Sequence, residues 1–339
     1  MKIAIHHRPN SCSEQWIIYC QKHSIQYKIV DAYANDIIEQ IKDCDIFMWH
    51  YHLTLYKDFL FAKQLIYIVE KKLGKITYPN FDTCWHYDDK IGQKYLLEAI
   101  SAPTIPTHIF YERQEALEWI EHTTFPKVFK LRSGSGSKNV KLVENARQAK
   151  ELVKKAFSCG FQKNSHLKRI GQRWLQFRKG KCTLKWFIKG IVTLYSYNDR
   201  FNKEEIGYVY FQDFIPNNNY DIRVFVVSDK AFAIKRMNRK NDFRASGSSI
   251  LIYDKNQIDE CCIRIAFDTT RKLNMQSVAF DFLQDTNGNW VISEISYCRN
   301  NKNNGHSGYW TDDLQWHDCD NINVCDWLIE NVIDKAKEK

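Results

Sequence analysis

The feature that most narrows the choice of fold is the alternation of short apolar strands with helical stretches over residues 1–80. Asp45-Ile46-Phe47-Met48-Trp49 is an almost unbroken apolar run. A strand of that composition is covered on both faces, as strands of parallel sheets are. Residues 2–6 and 27–31 read as two further strands. Residues 14–22 read as a helix with Ser13 at its N-cap, and 35–42 as a second, short one. A long helical pattern over 57–73 stops at Gly74, a residue suited to a left-handed C-cap. This order predicts a parallel sheet with helices on its faces, in a small α/β lobe.

A second unit starts near Tyr78-Pro79-Asn80. Residues 88–99 read as a helix, and Pro103 and Pro106 mark an extended exit from it. Residues 107–111 form a strand pattern and 113–121 a helical one. Pro126-Lys127-Val128-Phe129-Lys130-Leu131 is a strand that runs straight into Arg132-Ser133-Gly134-Ser135-Gly136-Ser137, and 145–157 is an amphipathic helix. Residues 160–205 and 300–320 show no readable period. Strands dominate elsewhere, at 208–211, 222–227, 231–237 and 278–283. Asn287-Gly288 is a hairpin signal joining Phe280-Asp281-Phe282-Leu283 to Trp290-Val291-Ile292-Ser293-Glu294-Ile295. With 339 residues, two or three lobes are to be expected.

The formal charge of +9 suits an acidic partner: a nucleotide, an anionic sugar, a nucleic acid or a membrane surface. Dispersed solubilising lysine gives the same total. The densest basic stretch, 163–189, is interleaved with Trp174, Phe177 and Trp186, a pattern that nucleic-acid binders share. No RNA- or DNA-binding motif accompanies it, so no nucleic-acid partner is expected. No apolar run approaches the ~20 residues of a membrane span. The first residues turn polar too soon for a signal peptide. The 11 cysteines are odd in number and irregularly spaced, with no C-x-x-C pair. The expectation is a cytoplasmic chain with reduced thiols.

Four features carry chemistry. Gly134 and Gly136 among serines, just after a buried strand, permit close backbone approach to phosphate oxygens. The loop is neither G-x-x-x-x-G-K-[ST] nor G-x-G-x-x-G, and taken alone it also fits a plain flexible hairpin. Lys130 stands at the mouth of that loop, where it reaches phosphates as a point charge or simply snorkels from a strand end. Asp281 and Glu294 are flanked by apolar residues on adjacent hairpin strands. Burial of two carboxylates demands a compensating cation, either magnesium or arginine partners. Finally, Tyr220-Asp221-Ile222-Arg223-Val224-Phe225 and Phe232-Ala233-Ile234-Lys235-Arg236 form basic strands. Arg223, Lys235 and Arg236 there suit a carboxylate or a transferred phosphoryl group.

Taken in order, these segments resemble the ATP-grasp family, and especially its RimK-type glutamate ligases. Asp89-Lys90 looks like the family's first phosphate-binding lysine, Lys130 like the second, and residues 132–140 like the loop over the phosphates. Phe211-Gln212-Asp213-Phe214-Ile215 resembles the hinge whose backbone reads adenine. Asp221-Ile222-Arg223 matches a D-I-R segment, with Asp221 near the ribose, and Asn241-Asp242-Phe243-Arg244-Ala245-Ser246 resembles a stretch downstream of it. Asp281 and Glu294 fall where the family's magnesium ligands sit. The family's E-x-N is here Glu294-Ile295-Ser296, which leaves Ser296, or Asn300 or Asn301, as the further ligand. Glu294-Ile295-Ser296-Tyr297, with Gly308-Tyr309-Trp310 and Leu314-Gln315-Trp316-His317 behind it, looks like a branch found beside surface-polysaccharide genes.

The resemblance implies an α/β fold: a Rossmann-like pre-ATP-grasp lobe (1–80), then a two-lobed ATP-grasp domain (81–339). Within the latter, a smaller central lobe spans about 107–210 and a C-terminal lobe about 211–339. It implies ATP with Mg2+ (Mn2+ in its place), a carboxylate activated as an acyl phosphate, and an amine acceptor. The modified molecule would be a nucleotide-linked or acidic sugar or another small metabolite. In that scheme Lys90, Lys130, Ser133, Gly134, Ser135, Gly136, Ser137, Gln212, Asp213, Phe214, Ile215 and Asp221 hold the nucleotide. Arg223, Lys235 and Arg236 act in catalysis, and Asp281, Glu294 and Ser296 hold the metal. His306 and His317 are structural histidines or aids to proton transfer. Ligases of this kind are often dimers, so a homodimer is among the expectations. The rival readings are an amino-acid ligase acting on a peptide or protein, a kinase, and an ATP-binding module without turnover.

Overall fold

The computed structural model describes residues 1–52, 55–134, 139–162, 174, 177–178, 183–184, 204–239, 242–243, 250–297 and 307–338. The chain divides into two units, Met1–Ile105 with Ile215–Lys339, and Pro106–Phe214.

The larger unit begins with a four-stranded parallel sheet in the order β2-β1-β3-β4, made of β1 (Lys2–His6), β2 (Gln26–Val30), β3 (Ile46–Met48) and β4 (Ile76–Tyr78). Helices α1 (Cys12–Lys22), α2 (Ile37–Gln40) and α3 (Tyr56–Lys71) connect these strands. Both faces are covered, as the apolar β3 demands. Ala4 and Phe47 pack with Leu65, Ile66 and Val69 on one side. Ile3, Ile5, Ile46 and Met48 pack with Trp16 and Leu328 on the other. Helix α1 starts two residues before the sequence expectation, because Ser11 rather than Ser13 takes the N-cap and accepts from the Ser13 N–H. β4 is too short to stand out as a separate strand in the sequence.

Two helices follow, α4 (Phe81–Cys84) and α5 (Lys90–Ala99), capped by the side chains of Asn80 and Asp89. After the smaller unit the chain builds a seven-stranded antiparallel sheet. Its strands are β11 (Tyr220–Val227), β12 (Lys230–Met237), β13 (Leu251–Ile252), β14 (Ser277–Gln284), β15 (Trp290–Ser296), β16 (Gly308–Thr311) and β17 (Trp316–Asp318), in the order β15-β14-β11-β12-β16-β17 with β13 on β12. Helix α8 (Glu260–Lys272) covers one face through Cys262, Ile263, Ala266 and Phe267, against Ile222, Val224, Phe280 and Phe282. The last helix, α9 (Val324–Lys337), packs on the parallel-sheet lobe, where Trp16 donates its indole N–H to Cys325 O at 3.0 Å.

The smaller unit is a four-stranded antiparallel sheet in the order β5-β10-β6-β7, with α6 (Arg113–His122) and α7 (Ala146–Ala156) against it. Its strands are β5 (Thr107–Phe110), β6 (Lys127–Lys130), β7 (Val140–Val143) and β10 (Val209–Asp213), and β8 (Phe161–Gln162) pairs with β9 (Glu204–Glu205). Phe129, Val153, Val209 and Phe211 are central to its core.

The structure corrects the all-thiol expectation at one pair. Cys12 and Cys325, 313 residues apart, form a disulfide with their Cα atoms 5.4 Å apart. It staples α1 to α9. The separation is set entirely by tertiary packing, so no spacing rule could expose it.

Candidate active site

In the larger unit the site grows from the β14–β15 hairpin. Its loop closes through Asp285, whose N–H donates to Asn289 O (2.8 Å) and whose O accepts from Gly288 N–H (3.1 Å). Gly288 takes a φ of 84°, as the Asn-Gly signal requires. The register sets Asp281 directly across from Glu294, with a break between Asp281 and Phe282 that leaves Ser293 as the extra residue of a bulge. Directly paired cross-strand residues share a face. Asp281 and Glu294 therefore project together, and Ser296, two residues beyond Glu294, joins them.

Strand register also brings up the cations. Arg223 lies across from Asp281, and Arg236 across from Asp221. Arg223 donates to both Asp281 oxygens at 2.6 Å. Arg236 donates to the two Asp221 oxygens at 2.6 and 2.5 Å, and reaches Asp281 Oδ2 at 3.0 Å. Asp221, Arg236 and Asp281 are buried, so the four charges form a neutral network with little water to screen it. Burial alone would push the Asp281 carboxyl up. The charges and hydrogen bonds of Arg223 and Arg236 outweigh it and hold that carboxyl far below the usual range. Glu294, the more exposed of the two facing carboxylates, accepts an ion pair from Lys90 Nζ at 3.1 Å, and Lys90 itself is buried at the start of α5.

One expectation changes here. Strand alternation turns Lys235 to the face opposite Arg236, where it lies 4.1 Å from the Tyr220 ring centroid and 3.4 Å from Gln257 Oε1. It is not brought to the carboxylates. Asp221, expected beside a ribose, has both oxygens engaged by Arg236. His317 stacks on Tyr309, the ring centroids 5.4 Å apart. Ser135, Gly136, Ser137, Asn241, Arg244, Ala245, Ser246, Asn300, Asn301 and His306 lie outside the described residues. Ile215 opens the larger unit's second segment.

In the smaller unit, β10 pairs with β6 so that Gln212 faces Val128 and Asp213 faces Lys127. Lys130, at the end of β6, donates to Gln212 Oε1 at 2.7 Å, and Gln212 donates to Thr107 Oγ1 at 3.1 Å. Asp213 is claimed by Lys127 Nζ at 2.6 Å, and its N–H donates to Pro106 O at 3.0 Å; Phe214 follows and ends the unit. The sequence did not point to the anchor beneath the serine–glycine loop. Tyr208 donates to Glu205 at 2.8 Å and accepts the Arg132 N–H at 2.6 Å, and the Ser133 hydroxyl also bonds Glu205. Burial, and then the Glu205 charge, push the Tyr208 phenol far above its ordinary value. Gly134 has a φ of 122°, a conformation that a side chain would strain. The only sequence signal for this anchor is the position of Tyr208 at the head of a strand, which is too common to read.

The donor chemistry fits a magnesium ion. Two carboxylates project from one face, and magnesium commonly takes one or two carboxylates with phosphate oxygens and water. Among the described residues no group of three or more His, Cys, Asp and Glu side chains forms a fuller cage.

Comparison with known proteins gives the fold a name. The structure is similar to D-alanine–D-alanine ligase from Bacillus anthracis, with a TM-score of 0.55 and 14% identity over 99% of this chain and 98% of that one. Residues 197–306 match the model of the RimK-like ATP-grasp domain. The chain has an ATP-grasp fold. A RimK domain ATP-grasp protein from Sphaerobacter thermophilus shares this fold at TM-score 0.50 and 12% identity, over 87% of this chain and 90% of that one. So does N5-carboxyaminoimidazole synthetase from Staphylococcus aureus, solved with ADP, at TM-score 0.51 and 13% identity, over 92% of this chain and 74% of that one. No curated protein matches the chain in sequence. No helix among the described residues is long and apolar enough to cross a membrane.

Proposed function

We propose that this ATP-grasp chain is an ADP-forming ligase that activates a carboxylate with ATP and joins it to an amine. The observation that carries the reading is the facing pair Asp281 and Glu294, ringed by Arg223, Arg236 and Lys90, in an ATP-grasp fold. Lys90 and Lys130 are assigned to phosphate oxygens, with Ser133 and Gly134 and the serines and glycine that follow them in sequence. Gln212, Asp213, Phe214 and Ile215 are assigned to adenine and Asp221 to the ribose end. Asp281 and Glu294, with Ser296 beside them, would hold magnesium, or manganese in its place, which supplies charge neutralisation at the phosphates when bound. Arg223 and Arg236 keep Asp281 ionised and steady, and Lys90 pairs with Glu294. The two arginines also stand ready to share charge that develops on the γ-phosphoryl group.

In this scheme the substrate carboxylate takes the γ-phosphoryl group and ADP leaves. An amine then attacks the acyl phosphate, loses a proton and expels phosphate, giving an amide. The chain supplies position and charge rather than a nucleophile. We further propose a small metabolite or sugar of surface polysaccharide as the product's frame, and a cytoplasmic, homodimeric enzyme. ADP release measured with ATP, magnesium and pools of acids and amines tests the reading. Release that needs both an acid and an amine supports it. A stable phosphorylated product formed with one acceptor alone identifies a kinase, and nucleotide binding without turnover identifies a binding module.

A further inference from the structure

The parallel sheet of the larger unit contains a reversal that the ligase reading leaves unused. From β1 the chain adds β2 on one side, then returns to add β3 on the other. Beyond the carboxyl ends of strands flanking such a reversal, open parallel sheets bind ligands. Here β1 ends in His6 and continues into His7 and Arg8, while β3 continues into Trp49, His50, Tyr51 and His52. Four of the chain's 11 histidines stand in these two short segments.

The hydrogen bonding there has a sign. Asp58 of α3 is fully buried, at 0% exposure. Its Oδ1 accepts from the Tyr33 hydroxyl at 2.5 Å and its Oδ2 from the His52 backbone N–H at 2.6 Å. The Arg8 guanidinium lies 3.9 Å from that carboxylate, outside hydrogen-bond reach, and is partly exposed. Its backbone is fixed: the Arg8 N–H donates to Ser13 Oγ at 2.9 Å, and its O accepts from the Ser11 hydroxyl at 2.8 Å. The nearest carboxylate thus has both oxygens engaged, while the guanidinium donors are unspent among the described residues. Spent acceptors beside spare, charged donors select an anion and reject an ammonium group. Burial first, and then the charges of Arg8 and His52, pull the His50 imidazole down to about 4, so that ring stays neutral beside Arg8 at ordinary pH.

The same cluster abuts the strand end that carries Glu294. Tyr297, three residues further on, donates its hydroxyl to Tyr51 O at 2.5 Å, and its ring centroid lies 4.8 Å from Tyr87 and 6.3 Å from His50. His52 faces Tyr87 at 6.2 Å.

We infer that the carboxyl ends of β1 and β3 bind an oxyanion-bearing substrate, gripped by Arg8 and flanked by His52, Tyr87 and Tyr297. That this anion is a carboxylic acid to be activated rests on the ligase reading; the site itself does not. A phosphate group offers the same chemistry, and the test separates the two. The full chain is titrated calorimetrically, without ATP, with acetate, succinate and glutamate, and separately with inorganic phosphate. Binding of the acids assigns the carboxylate source, and binding of phosphate alone assigns a phosphorylated substrate. In Arg8→Gln that binding weakens about 10- to 100-fold, as expected for the loss of charge-assisted hydrogen bonds, and Arg8→Lys recovers part of it. The Arg8→Gln chain keeps its nucleotide affinity, which certifies that it is folded. In turnover, KM for the acid rises by the same factor while KM for ATP does not. If no probe binds, or if Arg8→Gln binds the acids and phosphate as the unaltered chain does, the inference is overturned. If the probes bind through Arg8 but no ADP is released with any acid and amine, the ligase reading fails and the anion site stands.

Discussion

Replacing Arg236 by Met is the sharpest probe of the charge network. The guanidinium is about one-tenth exposed and bonds Asp221 in a fork while reaching Asp281 at 3.0 Å. Met fills a similar volume but leaves two buried carboxylates to share Arg223 alone. Removing one partner of a buried ion pair costs about 3–5 kcal/mol, whereas an exposed pair is worth about 0–1. With a urea m-value of about 3 kcal/mol/M, suited to a unit of this size, the midpoint falls by roughly 1–1.7 M. Urea unfolding followed by tryptophan fluorescence measures this. The double variant Arg236→Met/Asp221→Leu removes the stranded carboxylate and leaves Asp281 in its fork with Arg223. At least half of the lost stability should return. A cost below about 1 kcal/mol for Arg236→Met, or no recovery in the double variant, would refute the account of a buried, mutually dependent network. The pH dependence has a definite sign. The Asp281 carboxyl is held low in the folded chain. Its contribution is full above the unfolded carboxylate pKa of about 3.9 and is lost as pH falls below it towards the folded value. Asp281→Asn should therefore flatten the acid limb of the stability curve.

Three further outcomes are expected. Glu294→Gln keeps the unfolding midpoint within about 0.5 M urea but loses magnesium-dependent ADP release by a factor of about 100 or more; near-normal turnover would remove Glu294 from the metal site. Lys130→Ala weakens ATP binding about tenfold by titration, and unchanged affinity would leave Lys130 as only a partner of Gln212. The buried His86 imidazole is pulled down to about 4 by burial, so it stays neutral while an unfolded histidine titrates near 6.5. Its stabilising neutrality is intact above about pH 6.5 and is lost as pH falls towards 4, at a cost of up to about 3 kcal/mol. His86→Leu should shrink the loss of midpoint between those pH values, and an unchanged slope would place the acid sensitivity elsewhere.

The facing carboxylates were legible because two local signals coincide. Polar residues interrupt apolar alternation at Asp281 and Glu294, and Asn287-Gly288 folds the two strands together. That Arg236 turns to the network and Lys235 away from it was also latent in the sequence. Period-two alternation separates neighbours, so only one of the two can share a face with Asp221. What could not be read is pairing across distance. Arg223 and Asp281 are 58 residues apart, and their contact depends on β11 lying beside β14, which no local pattern specifies. The same holds for Arg8 and Asp58, for the hold of Tyr208 and Glu205 on Arg132 and Ser133, and for helix α9, whose apolar residues pack on both the first lobe and the antiparallel sheet.

The Cys12–Cys325 bond closes nearly the whole polypeptide into a covalent ring. A ring is cut differently from a string. One break between those cysteines opens it without releasing a fragment, and two are needed before any piece can leave. Even fully unfolded, the oxidised molecule keeps Cys12 tethered to Cys325, and so remains smaller than the same chain reduced. The electrophoretic signature is a band that migrates faster without thiol than with it. A singly nicked sample would run as one species until reductant separates its halves.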